Sequence, residues 1–325
     1  MIRVLQLAPV ILLTAVILAF ALLTPGFLAP RNLSNILVQT SSLAVIATGL
    51  TFVLIAGGID LSAGSVMFLS AAIAGKLALS GQPLPATIAA VLAVGAACGA
   101  VNGLMVAKLR LPGFIATLGF LYAGRGVALY ITETRAMNLP DELLRLFTSS
   151  VAGIPIPVCI LIVTTVLAET ALSRTAWGLQ LYAAGHNSRQ ALLAGIRVDR
   201  ITLAVYVISG VAAGLGGLIA VAQLGAVSPT FGYQRELSAI AAAVLGGTSL
   251  FGGRGHVFPG TIFGAFLIQT VETGLVMLNA DPYLYPMVMA GIILLAVLLD
   301  AIRTRLVDSL GRRSIRANRA LQGKV

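Results

Sequence analysis

Asp60 stands out among the side chains that could do chemistry, because it is the only acid between Met1 and Glu133 and its surroundings are almost wholly apolar. An acid in such a setting is costly unless water or a partner solvates it. Asp60 either lines a hydrated path at a broken helix, or Asp60 or Ser62 caps the helix that follows at the cytoplasmic edge. Both interpretations stay open.

The remaining reactive side chains do not form sites. The two histidines, His186 and His256, lie about 70 residues apart, with no cysteine or acid at metal-ligand spacing. Cys98 and Cys159 fall inside apolar runs, so no disulfide framework is indicated. Asp60 has no obvious second carboxylate at the same membrane depth, as acid–base catalysis by two acids would need. An intramembrane enzyme is therefore only a remote alternative. No cofactor or metal is expected in this chain.

Two further polar residues, Gln269 and Glu272, interrupt an apolar run near residues 258–278. Solvation near a membrane surface accounts for Glu272. The alternative is an ion-coupled secondary transporter in which Asp60 or Glu272 binds the proton or sodium ion. The chain has no G-x-x-x-x-G-K-[ST] motif, so it does not bind ATP through that loop.

Composition assigns these residues to a membrane protein. Hydrophobic residues make up 58% of the chain and charged residues 10%, and the mean hydropathy is +1.00. Apolar residues occur in runs near the ~20 that a helical span needs, which favours helices over an outer-membrane barrel. The fold class is therefore all-α, a polytopic transmembrane helical bundle. Ten runs are predicted, at about 7–23, 40–56, 62–79, 85–107, 113–131, 156–173, 201–223, 237–251, 258–278 and 284–300.

Charge sets the predicted topology. The net charge of +10 does not indicate nucleic acid, because many basic residues lie beside predicted membrane ends. With an even number of spans, both termini are cytoplasmic and most basic residues fall on the inner side. Residues 1–305 are predicted to form the transmembrane permease domain and residues 306–325 a basic cytoplasmic tail. The inner basic residues include Lys108, Arg174, Arg254 and the arginines from Arg303 to Arg319.

The stretch 177–200, WGLQLYAAGHNSRQALLAGIRVDR, is the longest polar interval in the second half of the chain. Asn187 or Ser188 can cap a short helix there, and Gly195 can end it in the left-handed conformation. A helix of about seven residues is only ~10 Å long. It is therefore either a connector that lies in the membrane interface or a projecting element that another protein binds. Three arginines predict that it faces the cytoplasm: Arg189, Arg197 and Arg200.

Glycines predict close helix packing. Gly95, Gly99 and Gly103 are spaced four apart and form a smooth stripe, as do Gly210 and Gly214. Helices with such faces approach each other closely in a membrane. A compact bundle is expected.

Four motifs together resemble a known family: GGIDLSAGSV at 57–66, FIATLG at 114–119, GHNSRQALLAGI at 185–196 and GYQRELSAIAAAVLGGTSLFGG at 232–253. They are similar to the permease subunits of bacterial ribose-type sugar ABC importers, in the order and spacing of that family. His186 and the pair Arg189-Gln190 replace residues that are usually small there, which suits a dedicated ATPase. Glu272-Thr273 stand where members tend to carry asparagine.

The resemblance implies the function and the partners. Two permease subunits, identical or homologous, would pair in the bacterial inner membrane, and each would dock on an ATP-binding cassette, the two cassettes often being fused in tandem. ATP and Mg would be held by those cassettes. A periplasmic binding protein would deliver a monosaccharide or a related polyol, and alternating access would carry it across.

The resemblance also implies roles for residues of this chain. The family's coupling helix matches residues 185–196, and the coupling candidates extend to the following arginine. A sugar path should be weakly polar, and Asp60, Ser62 and Thr117 are the candidates for its lining, with capping or packing as the other possible role of each. The coupling candidates are Gly185, His186, Asn187, Arg189, Leu192, Gly195, Ile196 and Arg197.

Overall fold

The computed structural model describes residues 2–281, 283–295 and 297–298. The predicted tail at 306–325 and the last residues of the predicted domain lie outside them. The described chain is mainly helical, which confirms the predicted fold class. Its helices are α1 (Ile2–Leu23), α2 (Pro30–Ile55), α3 (Ala63–Leu79), α4 (Leu84–Ala107), α5 (Gly113–Thr132), α6 (Asp141–Thr148), α7 (Ile156–Ser173), α8 (Ala176–His186), α9 (Ser188–Leu193), α10 (Val198–Leu224), α11 (Arg235–Leu245), α12 (Ile262–Met277) and α13 (Leu284–Leu295).

Strands contribute only two short pairs in the described part of the chain. Strand β1 (Met137–Asn138) pairs antiparallel with β4 (Ala226–Val227), and β2 (Ser150–Val151) pairs with β3 (Ile154–Pro155). The first pair joins the segment after α5 to the segment after α10. A kinked segment at Val257–Thr261, in which Phe258 has an extended backbone conformation, leads into α12.

Helix α2 is the centre of the bundle, with α7, α10, α11 and α12 packed around it. Every residue from Thr40 to Ile55 is buried. A helix that is apolar all round is stable only when it is covered on all sides, and α2 has that cover. The helices α5 and α7 instead expose large apolar side chains such as Tyr130 and Leu167. That exposure fits a surface facing lipid.

The predicted glycine stripe is confirmed as the contact between α4 and α10. A side chain on Gly95 would meet the carbonyl of Gly210, and one on Gly99 would meet the carbonyl of Tyr206. The two backbones therefore touch where glycines allow it. A second close contact joins α11 to α12, where Gly264 lies against the carbonyl of Ala242.

Among the residues that the structure describes, six segments are long and apolar enough to cross a membrane: α2, α4, α5, α7, α10 and Val257–Met277. Three shorter apolar helices, at Val10–Leu23, α3 and α13, accompany them. The chain is thus a multi-pass membrane protein. The eighth predicted run, 237–251, corresponds to α11, which has 11 residues. At 1.5 Å per residue it extends only about 16 Å, well short of the ~30 Å hydrocarbon core.

Two segments between the long helices are fixed by contacts with the bundle: α6 and the segment before α11. Leu143 and Phe147 of α6 are buried in the main core. Arg125 of α5 donates to the carbonyls of Pro229 and Phe231 at 3.4 Å, and its guanidinium lies over the ring of Phe68. This arginine therefore holds the segment that precedes α11.

Candidate functional site

Helices α8 and α9 form a hairpin, termed here the coupling hairpin, whose two helices both have side-chain caps. The Thr175 hydroxyl accepts from the N–H of Gly178 at 3.1 Å, and Asn187 accepts from the N–H of Gln190 at 3.0 Å. Gly195 has φ +81°, a conformation that strains any residue with a side chain. The cap at Asn187 and the glycine stop that the sequence predicts are thus confirmed.

The hairpin is wedged onto the bundle at Gly185. A side chain there would collide with the carbonyl oxygen of Ile55, the last residue of α2. The same carbonyl accepts from the N–H of Gly253 at 2.9 Å. The rings of Phe52 and Trp177 lie 5.8 Å apart between centroids and form a further contact between α2 and α8. The end of α2, the end of α8 and the loop before α12 therefore meet at one point.

A second contact ties the hairpin to the start of α12. The Tyr182 hydroxyl donates to the carbonyl of Gly255 at 2.7 Å. Burial raises the pKa of Tyr182, and the Glu169 carboxylate raises it further, so the hydroxyl keeps the proton that it donates. Glu169 itself accepts from the N–H groups of Val257 and Phe258, both at 3.0 Å. The corner 255–258 is therefore held from α7 and α8.

The tip of the coupling hairpin faces away from the bundle. Ala191 is its buried anchor, whereas Leu192 is 58% exposed and Leu193 85% exposed. The remaining coupling candidates His186, Asn187, Arg189, Gly195 and Arg197 are exposed, and Gly185 and Ile196 are half-buried. Two exposed leucines among arginines make a small surface with both apolar and cationic character, which suits protein contact.

The path candidates lie together in a buried polar cluster, called here the Asp60 cluster. Asp60 accepts from the N–H and hydroxyl of Ser62, at 2.8 and 2.5 Å, and from the hydroxyl of Ser209 at 2.7 Å. Asn102 donates to the Ser62 hydroxyl at 2.8 Å. The Thr117 hydroxyl accepts from the N–H of Leu61 at 3.0 Å.

These bonds join the start of α3 to α4, α5 and α10. Asp60, Ser62 and Thr117 are 2%, 1% and 0% exposed. The cluster accounts for the acid as a partnered group, with both carboxylate oxygens occupied. That the three residues line a path stays a prediction. Sequence reasoning missed Asn102 and Ser209, because each looks like a single polar residue within an apolar helix.

Sequence reasoning also missed a second polar group, called here the Gln269 cluster, at the opposite end of α2 from the coupling hairpin. It consists of Gln39, Arg235, Gln269 and Glu272, from α2, α11 and α12. All four line both of two neighbouring cavities, of about 620 and 530 Å³. The polar interruptions at Gln269 and Glu272, and the arginine just before the eighth run, were its signals in the sequence.

A metal site is not indicated: within residues 2–281, 283–295 and 297–298, histidine, cysteine and acidic side chains do not gather in groups of three or more.

Comparison with known proteins assigns the family. Residues 32–298 match the model of a family described as the permease component of the branched-chain amino acid transport system. The chain belongs to this permease family. A transport permease is not an enzyme, so the remote alternative of an intramembrane enzyme is set aside.

Individual relatives of this permease are sugar transporters by name. The ribose import permease protein RbsC of Escherichia coli K12 is 41% identical over 89% of this chain and 92% of its own length. The D-allose transport system permease protein AlsC of the same strain is 37% identical over 89% of each chain. The fructose import permease protein FrcC of Rhizobium meliloti is 33% identical over 90% of this chain and 84% of its own. No solved structure matches the permease significantly.

Proposed function

We propose that the permease is the membrane subunit of an ABC importer and that it carries a monosaccharide or a closely related polyol. The family description names branched-chain amino acids, whereas the curated relatives with 33 to 41% identity are named for ribose, allose and fructose. Full-length similarity at this level is more specific than a broad family model. It therefore supports sugars as the substrate class.

The proposed assembly contains two permease subunits in the bacterial inner membrane, identical or homologous, on ATPase cassettes that are fused in tandem. The cassettes hold ATP and Mg, and the permease itself holds no cofactor. A periplasmic binding protein delivers the sugar. Each permease crosses the membrane ten times with both termini in the cytoplasm, and α11, although short, counts as one crossing together with the segments that flank it.

The coupling hairpin would transmit the movement of the cassettes. Its exposed tip at Leu192 and Leu193 offers the contact surface, and Arg189 and Arg197 flank it with positive charge. Its base rests on the end of α2 through Gly185 and on the corner before α12 through Tyr182. A displacement of the hairpin therefore acts on two helices at once, including the one that carries Gln269.

One observation carries the coupling role: a capped hairpin with an exposed apolar tip is wedged against the bundle at a glycine where no side chain fits. The ion-coupled alternative finds less support. Both oxygens of Asp60 are occupied by serine donors, and Glu272 faces Arg235.

Two substitutions in the complete importer test the coupling role. Arg197→Glu reverses a charge at the docking surface, and Gly195→Pro imposes φ near −65° where the chain has +81°. We expect each to reduce sugar uptake and binding-protein-stimulated ATP hydrolysis at least ten-fold, roughly what the loss of 1.4 kcal/mol of coupling energy produces. Membrane insertion should stay intact.

Gly126→Ala is the matched control, because an added methyl group there meets nothing within 4 Å. Near-normal uptake and ATP hydrolysis in both coupling variants would remove the coupling assignment. Accumulation of sugar by vesicles that hold only this polypeptide, without nucleotide, would instead restore the ion-coupled alternative.

A further inference from the structure

The Gln269 cluster is unusual because polar side chains from three helices meet inside a bundle made largely of apolar residues. Gln269 is 4% exposed and donates to the side-chain oxygen of Gln39 at 2.9 Å. Arg235 faces Glu272, with 3.4 Å between the guanidinium nitrogen and the nearer carboxylate oxygen. Polar and charged groups within membrane segments are expensive, and those that persist usually mark a functional site such as a pathway for a solute or an ion.

The cavities on either side of the cluster have the size and character of small-molecule sites. Their volumes of about 620 and 530 Å³ lie in the range of ~300–1,000 Å³ typical for such ligands. Ser34, Asn35 and Ser42 extend the polar wall of the first cavity along α2. Val276 and Met289 give the second cavity an apolar wall. A sugar needs both kinds of wall, because its hydroxyls form hydrogen bonds and its C–H faces pack against apolar groups.

The ion pair in the cluster is loose enough to open. Its side chains are 38% and 26% exposed, and both of its N–O distances, 3.4 and 3.5 Å, exceed the ~2.7–2.9 Å of a strong charge-assisted bond. Each of these two charged groups can therefore replace its contact with the other by hydrogen bonds to sugar hydroxyls. A carboxylate accepts from them, a guanidinium donates to them, and an amide does both.

The cluster lies at the depth expected for an entry point. Gln39 is about 24 Å along the axis of α2 from Ile55, where the coupling hairpin rests. The first cavity is bordered by Phe147 of α6, on the same side as the loops opposite the hairpin. If the hairpin faces the cytoplasm, these cavities face the side from which a binding protein delivers its cargo.

We propose that Gln39, Arg235, Gln269 and Glu272 form a sugar-contact site on the outer half of the transport path, where the sugar replaces the Arg235–Glu272 pairing as it passes. This inference rests on the proposed function and adds to it the residues that hold the sugar. The polar contacts with the sugar are thus assigned to this cluster, in a different part of the bundle from the Asp60 cluster.

The test uses the full importer in proteoliposomes, with the permease, its ATPase and its binding protein. Labelled D-ribose, D-allose, D-fructose and D-xylose are offered to the wild type, and the best imported sugar is used for all variants at saturating, sugar-loaded binding protein. We expect Gln39→Leu and Gln269→Leu each to lower the maximal uptake rate roughly five-fold, the effect of one lost hydrogen bond. Stimulated ATP hydrolysis should stay within about two-fold, since the coupling hairpin is untouched.

Charge exchange separates sugar contact from a structural ion pair. Arg235→Glu and Glu272→Arg alone should impair both uptake and thermal stability. The double exchange restores an ion pair, so we expect it to recover stability but not uptake, because the donor and the acceptor have changed places. Thr165→Val, in a separate cavity between α7 and α12, is the control and should import normally.

Several outcomes would overturn the proposal. Wild-type uptake in Gln39→Leu and Gln269→Leu would show that the sugar passes elsewhere, and Gln39 is exposed enough for its variant to fold normally. Full recovery of uptake in the double exchange would show that the ion pair only stabilises the structure and does not contact the sugar. Failure of the wild-type importer to carry any of the four sugars would instead overturn the proposed substrate class, and this inference with it.

Discussion

The Asp60 carboxylate needs hydrogen-bond partners because it is buried. A carboxylate that is 2% exposed must have its lone pairs occupied, and Ser62 and Ser209 occupy both oxygens. The sequence allowed a capping role or a path role for this acid. The structure shows a turn before α3, closed by the N–H of Ser62, together with a bond to α10 that no local pattern predicts. Ser209 lies 149 residues away.

Substitution of Asp60 tests this account. Asp60→Leu would leave the Ser62 N–H and two buried hydroxyls without their acceptor, so we expect a loss of roughly 3 kcal/mol in the free energy of unfolding. Thermal unfolding of the detergent-purified permease, followed by its monodisperse chromatographic peak, measures this effect. Asp199→Asn, at a carboxylate that is 59% exposed, is the control and should melt normally. Equal melting temperatures for Asp60→Leu and the wild type would show that the cluster contributes nothing to stability.

At the scale of helices, two kinds of contact differ in how well the sequence reveals them. The cap at Asn187 and the stop at Gly195 were predicted, because each depends on a few neighbouring residues. The α4–α10 contact was predicted as a glycine stripe, although not its partner helix. The short length of α11 was missed: the helix ends at the cap residue Gly246 after 11 residues. Apolar composition alone cannot distinguish a half-length helix from a full span.

The α4–α10 contact gives a matched pair of substitutions. In Gly99→Ala the added methyl group meets the carbonyl of Tyr206 and lies 2.8 Å from the Cα of Val207. We expect a loss of about 1–3 kcal/mol in the free energy of unfolding, since two backbones would have to separate. Gly126→Ala adds the same group to α5 where nothing lies within 4 Å, and should be neutral or slightly stabilising. Similar melting curves for the two variants would argue against a close α4–α10 contact.

At the scale of the whole molecule, the two polar surfaces lie at opposite ends of the bundle. The coupling hairpin rests at the end of α2, and the Gln269 cluster lies beside the first half of α2. Positive charge near the hairpin favours the cytoplasm for that end. One of the motifs that predicted an importer subunit, residues 185–196, falls on this hairpin, and its coupling role stays a prediction. The motifs gave no sign of the paired cavities, because the residues that line them come from separate helices.

Labelling from one side of the membrane tests this arrangement. In a variant with Cys98 and Cys159 replaced by alanine, His186→Cys and Glu142→Cys each introduce one thiol at an exposed position. An impermeant maleimide should label Glu142→Cys in intact spheroplasts. It should label His186→Cys only after the membrane is permeabilised. Labelling of His186→Cys in intact spheroplasts would place the coupling hairpin outside and contradict the topology.

The ring contact between Trp177 and Phe52 has a practical consequence. Trp177 is the only tryptophan in the chain, and its indole lies where α8 meets the end of α2. Fluorescence excited selectively in this indole therefore originates at the contact between the hairpin and the bundle. The permease carries an intrinsic optical probe, and its emission can follow movement at that contact without any attached dye.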